Sequence, residues 1–232
     1  MKTISEIAQD NKPICFIGSS HSIDKLAETA CACGIHIQGV FDTDYDQNTF
    51  FTDLPLVSEQ QVLKNKLKWN FIVASNWQPG TDKKNARHIK KRNSLFEFID
   101  QHQLPEGNLI HPTAIVSLKS RIAGNVVIGA HSLIAHNVTV GRGTAIKEFC
   151  YISHDIDIHD HCVIQLRATI TGEVTVKSNS YIGVGSTIIN KSGKNRTVIG
   201  ERVVIHPHRV VMQDIPDNTV VSLKNNHLPR VF

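Results

Sequence analysis

The carboxy-terminal half of the chain repeats an apolar residue at every sixth position. From Ile110 to Ile188, all fourteen positions reached in steps of six hold Ile or Val. The residue two places before each of them, from Ala114 on, is small or apolar. A helix does not produce this period, whereas short strands stacked in successive coils do, because each strand turns one branched side chain inward. The pattern therefore predicts a parallel β-helix.

The repeat changes phase once. After Ile188 comes the polar stretch NKSGKNRT, and the apolar positions resume, shifted, at Ile199, Ile205 and Val211. This break indicates a loop inserted near residues 190–197. Insertions in such solenoids cluster on one face and often border a functional site.

The first part of the chain alternates short apolar runs with helical stretches. Strands that alternate with helices favour a small parallel α/β domain. We therefore predict two domains, an α/β domain over residues 1–108 and an all-β parallel β-helix over residues 109–232. The predicted elements of the first are strands at 13–18, 35–42, 54–57 and 70–76 and helices at 23–33 and 83–102.

Two features of the α/β domain fit the phosphate and ribose sites of a Rossmann-like domain. The first predicted strand ends at Gly18, in the turn GSSHS, and the second ends at Asp42, followed by Asp44. Rossmann-like domains hold phosphate at the first turn and ribose at an acid after the second strand. This turn has one glycine where a dinucleotide motif has three, so a plain strand-to-helix turn capped by Ser20 or Ser22 is the alternative.

Composition narrows the functional classes. The net charge is +4, and Lys and Arg are scattered apart from residues 83–92, so we expect no nucleic-acid partner. We find no apolar segment that fits a signal peptide or a membrane span. The chain has five cysteines, an odd number, and no CxxC pair. This indicates reduced thiols, and therefore a cytoplasmic protein.

The repeat, preceded by a small α/β domain, resembles the hexapeptide-repeat sugar acetyltransferases. In that family three hexads form one triangular coil of a left-handed β-helix, so residues three hexads apart stack. The order of the two parts is similar to the bacterial nucleotide-sugar N-acetyltransferases of the bacillosamine and perosamine pathways and to the sialic-acid-type O-acetyltransferases. The resemblance implies a homotrimeric acyltransferase in surface-glycan (lipopolysaccharide) biosynthesis, with acetyl-CoA as donor and the amine of a nucleotide-linked amino sugar as acceptor.

The resemblance also assigns substrate-binding residues to the first domain. In the family a Gly-rich turn and an Asp-Asp pair grip the nucleotide-linked sugar. The family turn reads like GxGGHG, whereas serines replace glycines here, so the identity of the nucleotide stays open. The corresponding residues are Gly18, Ser19, Ser20, His21, Asp42 and Asp44.

The stretch YISHDIDIHDH, residues 151–161, holds the candidate catalytic residues. Ile152 and Ile158 belong to the apolar period, which leaves the histidines and aspartates outside or at turns. YISHD resembles the V-I-x-H-E motif of the family, which implies His154 as general base and Asp155 as its acidic partner. An imidazole can take the proton that an amine sheds as it attacks a thioester, and a carboxylate on the other ring nitrogen fixes the tautomer. Adjacent side chains on a strand diverge, so a direct contact is not required and the carboxylate can act through the turn.

We expect no metal site in this stretch. His154 and His159 belong to successive hexads on different faces of the coil, and one chain cannot bring both to one ion. His136 lies three hexads before His154 and should stack beside it. It is either a polar wall of the site or, as we slightly favour, ordinary surface.

Glycines of later coils are the candidate acetyl-CoA contacts. Gly172 is expected one coil above His154, and YIGVGST supplies Gly183, Val184 and Gly185 in place of the family's F-L-G-x-N-S stretch along the pantetheine arm. Tight turns at the coil corners are the alternative reason for these glycines.

Two family features are changed. Val163 stands where the family has a cofactor-contacting histidine, and Ser222 replaces a glycine of the final segment. The inserted loop offers Lys191, Lys194 and Arg196, which would suit the 3′-phosphate of CoA. A solvated loop is an equal alternative.

Two other functions stay open at this point. The same base would serve an O-acetyltransferase that acts on a sugar hydroxyl. The changed cofactor positions would also fit a non-catalytic trimeric β-helix scaffold, and binding of CoA distinguishes the scaffold from the enzymes.

Overall fold

The computed structural model describes residues 1, 7, 10–18, 23–42, 54–75, 83–191 and 196–222, with the side chains of 83–89 excepted. The chain divides after Pro112 into two compact units, whereas the sequence predicts a boundary at residue 108. In the described residues, no helix combines the length and the apolar composition that a membrane crossing requires.

The first unit is built on a parallel sheet of three strands in the order β2–β1–β3. The predicted helix at 83–102 is confirmed in full, and the other predicted elements, except the strand at 54–57, are confirmed with shifts of at most three residues at their ends. The elements in chain order are β1 (Ile14–Ile17), α1 (Ile23–Ala32), β2 (Ile37–Phe41), α2 (Glu59–Lys64), β3 (Asn70–Val73) and α3 (Lys83–His102).

The predicted strand at 54–57 is wrong. Only a single bridge joins Leu56 to Val40, although Val40 N donates to Pro55 O at 2.9 Å and Val57 N donates to Val40 O at 2.9 Å. Pro55 has no N–H to donate, which keeps this segment from extending the ladder. Helix α2 follows directly and was not expected; a capping box between Ser58 and Gln61 starts it.

The core of this unit lies between the sheet and helix α3. Phe71 is among its fully buried side chains. Strand and helix residues contribute to one apolar cluster, which explains why a basic helix with a weak apolar pattern is held in place. The cluster consists of Cys15, Ile17, Phe41, Val57, Val62, Phe71, Val73, Leu95, Phe96, Ile99 and Leu104.

From residue 109 on, the chain forms strands of two or three residues. They are β4 (Leu109–Ile110), β5 (Ile115–Val116), β6 (Arg121–Ile122), β7 (Val127–Ile128), β8 (Leu133–Ile134), β9 (Val138–Val140), β10 (Ala145–Ile146), β11 (Tyr151–Ile152), β12 (Ile156–Ile158), β13 (Val163–Ile164), β14 (Thr169–Ile170), β15 (Val174–Val176), β16 (Tyr181–Ile182), β17 (Thr187–Ile188), β18 (Thr197–Ile199), β19 (Val204–Ile205), β20 (Val210–Val211) and β21 (Val220–Val221).

Every third strand joins the same sheet, so the second unit is a parallel β-helix with three faces. One sheet runs β5–β8–β11–β14–β17–β20, and we name it the β11 sheet; the others contain β6–β9–β12–β15–β18 and β7–β10–β13–β16–β19–β21. Ile152 pairs with Ile134 below and with Ile170 above, in the register of three hexads per coil that the family resemblance implies. These Ile residues are at most 1 % exposed and form one inward ladder.

Small polar side chains line the interior at several of the positions two residues before a ladder residue. Ser132 Oγ donates to Lys147 O at 2.7 Å and accepts from Cys150 N at 3.1 Å. Thr144 Oγ1 makes the same two bonds one face further on. Each buried hydroxyl is therefore satisfied, which removes the cost of burying it.

Left-handed backbone turns the chain at the corners of the coil. The residue three places after a ladder position has a positive φ, near +57°, even where it is not glycine. Such a backbone costs roughly 1–2 kcal/mol for an L-residue and is least unfavourable for Asn, Asp and His. The residues concerned include Asn125, His131, Asn137, Phe149, Asp155, His161, Arg167, Glu173 and Asn179.

The predicted insertion is confirmed by the strand register. Strand β15 pairs with β18 through Val174 and Thr197, so the coil between them is longer than its predecessors. At the start of the insertion, Asn190 N donates to Thr171 Oγ1 on the coil below at 3.0 Å. The described chain resumes at Arg196.

Candidate active site

His154 and Asp155 lie at a corner of the coil, between the end of β11 and the start of β12. Both side chains are half exposed, at 48 % and 41 %. The position follows from the period, because the ladder residue Ile152 and Ile156, two places before the next ladder residue, point inward and leave the corner between them at the surface.

The two side chains contact each other directly. His154 Nδ1 is 2.8 Å from Asp155 Oδ2. Adjacent strand residues would diverge, but Asp155 is not in a strand: its φ of +56° turns the chain and swings the carboxylate toward the ring. An ionised carboxylate accepts only, so Nδ1 donates and the lone pair of the imidazole lies on Nε2.

Asp155 is held as an anion by the preceding coil. Asn137 Nδ2 donates to Asp155 Oδ1 at 3.0 Å across 18 residues of sequence. This bond, and then the bond to His154, lowers the pKa of the Asp155 carboxyl below its ordinary value. The carboxylate therefore stays charged at neutral pH and keeps its hydrogen bond to Nδ1.

The imidazole of His154 is also held on both of its faces. The His136 ring stacks on it, with centroids 5.4 Å apart and planes 9° apart, which confirms the predicted stacking. On the next coil a Cβ at Gly172 would lie 2.6 Å from His154 Cε1. The space at Gly172 is thus taken by the base itself, and a side chain there would displace the ring.

The geometry fits a base better than a metal site. One potential ligand atom each from His136, His154 and Asp155 lies within 4.8 Å of the others. A zinc ion takes ligands at about 2.0–2.2 Å, so these atoms would have to move closer together. The nearly parallel rings also direct their lone pairs into separate planes, and Asp155 already binds His154 Nδ1.

The candidate cofactor glycines fall into two places. Gly172 is next to His154, whereas Gly183, Val184 and Gly185 form the corner between β16 and β17, at the opposite edge of the β11 sheet. One chain therefore does not bring this corner to His154.

Packing within the coil already accounts for the corner glycines. A Cβ at Gly183 would lie 2.5 Å from Ile205 O, and one at Gly185, where φ is +63°, would lie 2.7 Å from His208 Nδ1. Their predicted contact with acetyl-CoA stays a prediction.

Val163, Lys191 and Arg196, which bear on the expected cofactor contacts, have structural roles of their own. Val163 lies in β13 and is 3 % exposed. Lys191 Nζ lies 2.7 Å from Asp214 Oδ2, and Arg196 Nη2 lies 2.8 Å from Asp157 Oδ2. A 3′-phosphate would have to compete with these carboxylates, and Lys194 lies outside the described residues.

In the first unit, Gly18 and Asp42 meet at the carboxyl ends of β1 and β2. Gly18 N donates to Phe41 O at 2.7 Å. Gly18 has φ of +92°, and a Cβ there would lie 2.5 Å from Leu95 Cδ1, so the chain requires glycine at this turn. Ser19, Ser20, His21 and Asp44 lie outside the described residues.

Sequence reasoning missed two cations at the same edge of the sheet. Lys91 Nζ is 3.1 Å from Asp42 Oδ2, and the Asp42 side chain has no exposed surface. The neighbouring Arg92 Nη1 donates to Ser75 Oγ, after β3, at 3.2 Å. The basic run at 83–92 was the available signal, but only the packing of α3 shows that it reaches the strand ends.

No protein-family model and no curated protein matches this chain, but solved structures do. The chain is similar to a mutant of GDP-perosamine N-acetyltransferase from Caulobacter crescentus in complex with CoA and GDP-perosamine, with a TM-score of 0.74 and 21% identity over 90% of this chain and 92% of that chain.

Two further structures cover most of the chain. The acetyltransferase domain of PglB from Neisseria gonorrhoeae, in complex with acetyl coenzyme A, matches with a TM-score of 0.64 and 21% identity over 92% of this chain and 97% of that chain. WeeI from Acinetobacter baumannii matches with a TM-score of 0.67 and 16% identity over 91% of this chain and 97% of that chain. The chain therefore has the fold of the perosamine N-acetyltransferase and of the PglB acetyltransferase domain, which confirms the resemblance at the level of fold.

Proposed function

We propose that the chain transfers the acetyl group of acetyl-CoA to the amine of a nucleotide-linked amino sugar, in the synthesis of a surface glycan. The observation that carries the proposal is the His154–Asp155 pair, held in one orientation at a corner of this fold. Two solved proteins that share the fold contain CoA or acetyl coenzyme A, and one also contains GDP-perosamine.

His154 acts as the general base. Within the described part of the chain, its Nε2 has no hydrogen-bond partner, and the ring is half exposed. Nε2 takes a proton from the amine as the nitrogen attacks the thioester carbonyl carbon. The C–N bond forms, the C–S bond breaks, and the proton on Nε2 passes to the departing thiolate. No covalent enzyme intermediate is needed, because the thioester is already activated.

Asp155 stabilises the imidazolium that forms in this step. Its carboxylate is charged before the reaction and accepts from Nδ1–H throughout. Its proximity to the ring also fixes the tautomer in which Nε2 is free to act.

A homotrimer would complete the site. The outward row of the β11 sheet exposes apolar side chains, with Ile115 at 66 %, Tyr151 at 46 % and Val210 at 56 %. Burial of this face against a second copy would remove that surface from water. It would also bring the Gly183–Gly185 corner of another copy toward His154, with the pantetheine arm between them. This arrangement needs the left-handed coil of the family.

The first unit, as a Rossmann-like domain over 1–108, would bind the nucleotide. Gly18, Ser19, Ser20 and His21 would hold phosphate, and Asp42 and Asp44 the ribose. The described part of this assignment is supported by the strand ends that Gly18 and Asp42 occupy.

We propose a cytoplasmic location as well. All five cysteines are free. Burial raises the pKa of the Cys15 and Cys150 thiols to about 12, so both are poor nucleophiles and unsuited to redox exchange.

The direct test is calorimetric titration of acetyl-CoA into the wild type and into His154→Ala, followed by an assay of amino sugars linked to UDP, dTDP or GDP. We expect both proteins to bind acetyl-CoA and only the wild type to release CoA thiol at a substantial rate. Mass spectrometry of the product should show an N-acetyl group. Failure of the wild type to bind acetyl-CoA would refute the donor, and an acetyl ester as product would instead identify an O-acetyltransferase.

A further inference from the structure

Arg196, at the end of the inserted loop, binds the backbone of the corner that carries the base. Its Nη2 donates to Asp155 O at 2.9 Å and to Val174 O at 3.0 Å. Its Nε donates to Thr175 Oγ1 at 3.1 Å. One planar guanidinium therefore joins the coil of Asp155 to the coil above it.

The guanidinium occupies a place where strand pairing is missing. On the lower side, β12 pairs with β9 from Ile156 onward. On the upper side, the pairing of β12 with β15 begins only at Asp157 and Thr175. Arg196 takes the two carbonyls, Asp155 O and Val174 O, that stand at this opening.

This contact completes the fixation of Asp155. Its backbone N donates to His136 O at 3.2 Å on the coil below, and its backbone O accepts from Arg196. Both peptide groups of a residue in the costly left-handed conformation are thereby held. Because that conformation is what turns the carboxylate toward His154 Nδ1, Arg196 supports the catalytic geometry through the backbone of Asp155.

We propose that Arg196 is a positioning residue that acts on the proposed general base through Asp155, rather than a ligand of the CoA 3′-phosphate. The inference rests on the proposed function. The N–H groups of Arg196 already donate to backbone carbonyls of the chain and lie against Asp157. The exposed ion pair with Asp157 contributes little to holding the guanidinium compared with the bonds to the backbone. A lysine at this position would keep the positive charge. It would lose the planar guanidinium, whose several N–H groups donate to two carbonyls and a hydroxyl at once.

The first experiment compares Arg196→Lys with Arg202→Lys, an exposed arginine of the same unit that binds Asn218. We expect Arg196→Lys to lower kcat on the order of 10-fold, because a small displacement of a catalytic group is costly, and to leave the KM for acetyl-CoA unchanged. Arg202→Lys should match the wild type, and both should melt near the wild-type temperature. Equal kcat values for the two variants would overturn the proposal.

The second experiment separates the two roles of Arg196. Arg196→Gln is assayed with acetyl-CoA and with acetyl-dephospho-CoA, which lacks the 3′-phosphate. A positioning residue lowers kcat equally with both donors. A higher KM for acetyl-CoA alone would show that Arg196 binds the phosphate, and would overturn the proposal.

A double variant tests the route through Asp155. If Arg196 acts through that carboxylate, Arg196→Lys should have little further effect on kcat in an Asp155→Asn background. An undiminished effect there would contradict the proposal.

A spectroscopic measurement does not need activity. The Nδ1–H proton of His154, observed by NMR, should be sharp and downfield in the wild type and should exchange faster in Arg196→Lys. This result with an inactive wild type would refute the proposed function but support the positioning role. An unchanged resonance would contradict the positioning role, whatever the activity.

Discussion

The β-helix and the α/β unit bring their candidate residues together in different ways. In the β-helix, Asn137 meets Asp155 and His136 meets His154 because each pair is one coil apart. In the α/β unit, Asp42 meets Lys91, which lies 49 positions away, because α3 packs against the sheet. In a regular repeat, the separation of two residues along the chain predicts whether they lie close together in space. In a core without a repeat, it does not.

The base should show the largest effect on catalysis. We expect His154→Asn to lower kcat on the order of 10²–10⁴-fold, the usual contribution of a general base, while acetyl-CoA affinity stays close to that of the wild type. His159→Asn, at the next corner of the same coil, is the control and should keep its activity. A comparable loss in both variants would show that the corner position, rather than the base, matters.

A cavity in either core tests how strongly the two units depend on packing. Ile164→Ala removes part of the inward ladder and should lower the free energy of unfolding by about 2–5 kcal/mol. Ile72→Ala, in β3, is the same change in the α/β unit; the side chains are 0 % and 1 % exposed. Chemical denaturation measures both, and a loss well under this range at Ile164 would show that neighbouring coils can collapse into the gap.

Gly172→Ala should separate activity from stability. The new Cβ would meet the half-exposed ring of His154, which can turn outward, so kcat should fall on the order of 10²-fold, as for a displaced catalytic group, with little change in melting temperature. Gly141→Ala is the matched variant, because its Cβ would lie 2.4 Å from the backbone carbon of His159. That variant should lose stability, and a normal kcat in Gly172→Ala would mean that the ring has another productive position.

Gly18→Ala makes the corresponding test in the α/β unit. Its positive φ and the contact with Leu95 should cost about 1–3 kcal/mol in free energy of unfolding. Gly34→Ala has φ of +67° but would meet no atom within 4 Å, so it reports the backbone strain alone. Equal losses in the two variants would show that the close approach to Leu95 is not what requires glycine.

Asn137→Ala should have the smallest effect. It removes the main cause of the low Asp155 pKa, so the carboxyl pKa, measured by carbon NMR, should rise toward the ordinary value of 3.8. The folded-state pKa lies below this ordinary value. The bond from Asn137 therefore stabilises the folded wild type fully at pH values above 3.8, and this stabilisation disappears as the pH falls through the folded-state pKa. At neutral pH kcat should fall only a few-fold, and an unchanged pKa would show that His154 alone keeps the carboxyl charged.

Much of the fold could be predicted because its rules are local. The six-residue period predicted the ladder and the insertion after Ile188, and the family resemblance implied the three-sheet register. The α/β order predicted a parallel sheet, although with four strands where the described residues form three. The errors arose where packing outweighed pattern: residues 54–57 make one bridge instead of a strand, because Pro55 lacks an N–H, and α2 is too short to show a helical period.

The sequence by itself determined which residues point outward at the corner, since the isoleucines on either side must face the core. Combined with the family resemblance, which gives three hexads to a coil, it also placed His136 and Gly172 on the coils next to His154. Only the tertiary structure decided that Asp155 contacts the imidazole of His154. That contact depends on a left-handed backbone conformation at Asp155, which the sequence pattern did not predict. The partners of Arg196 could not be predicted either, because the insertion breaks the period and with it the link between sequence distance and position.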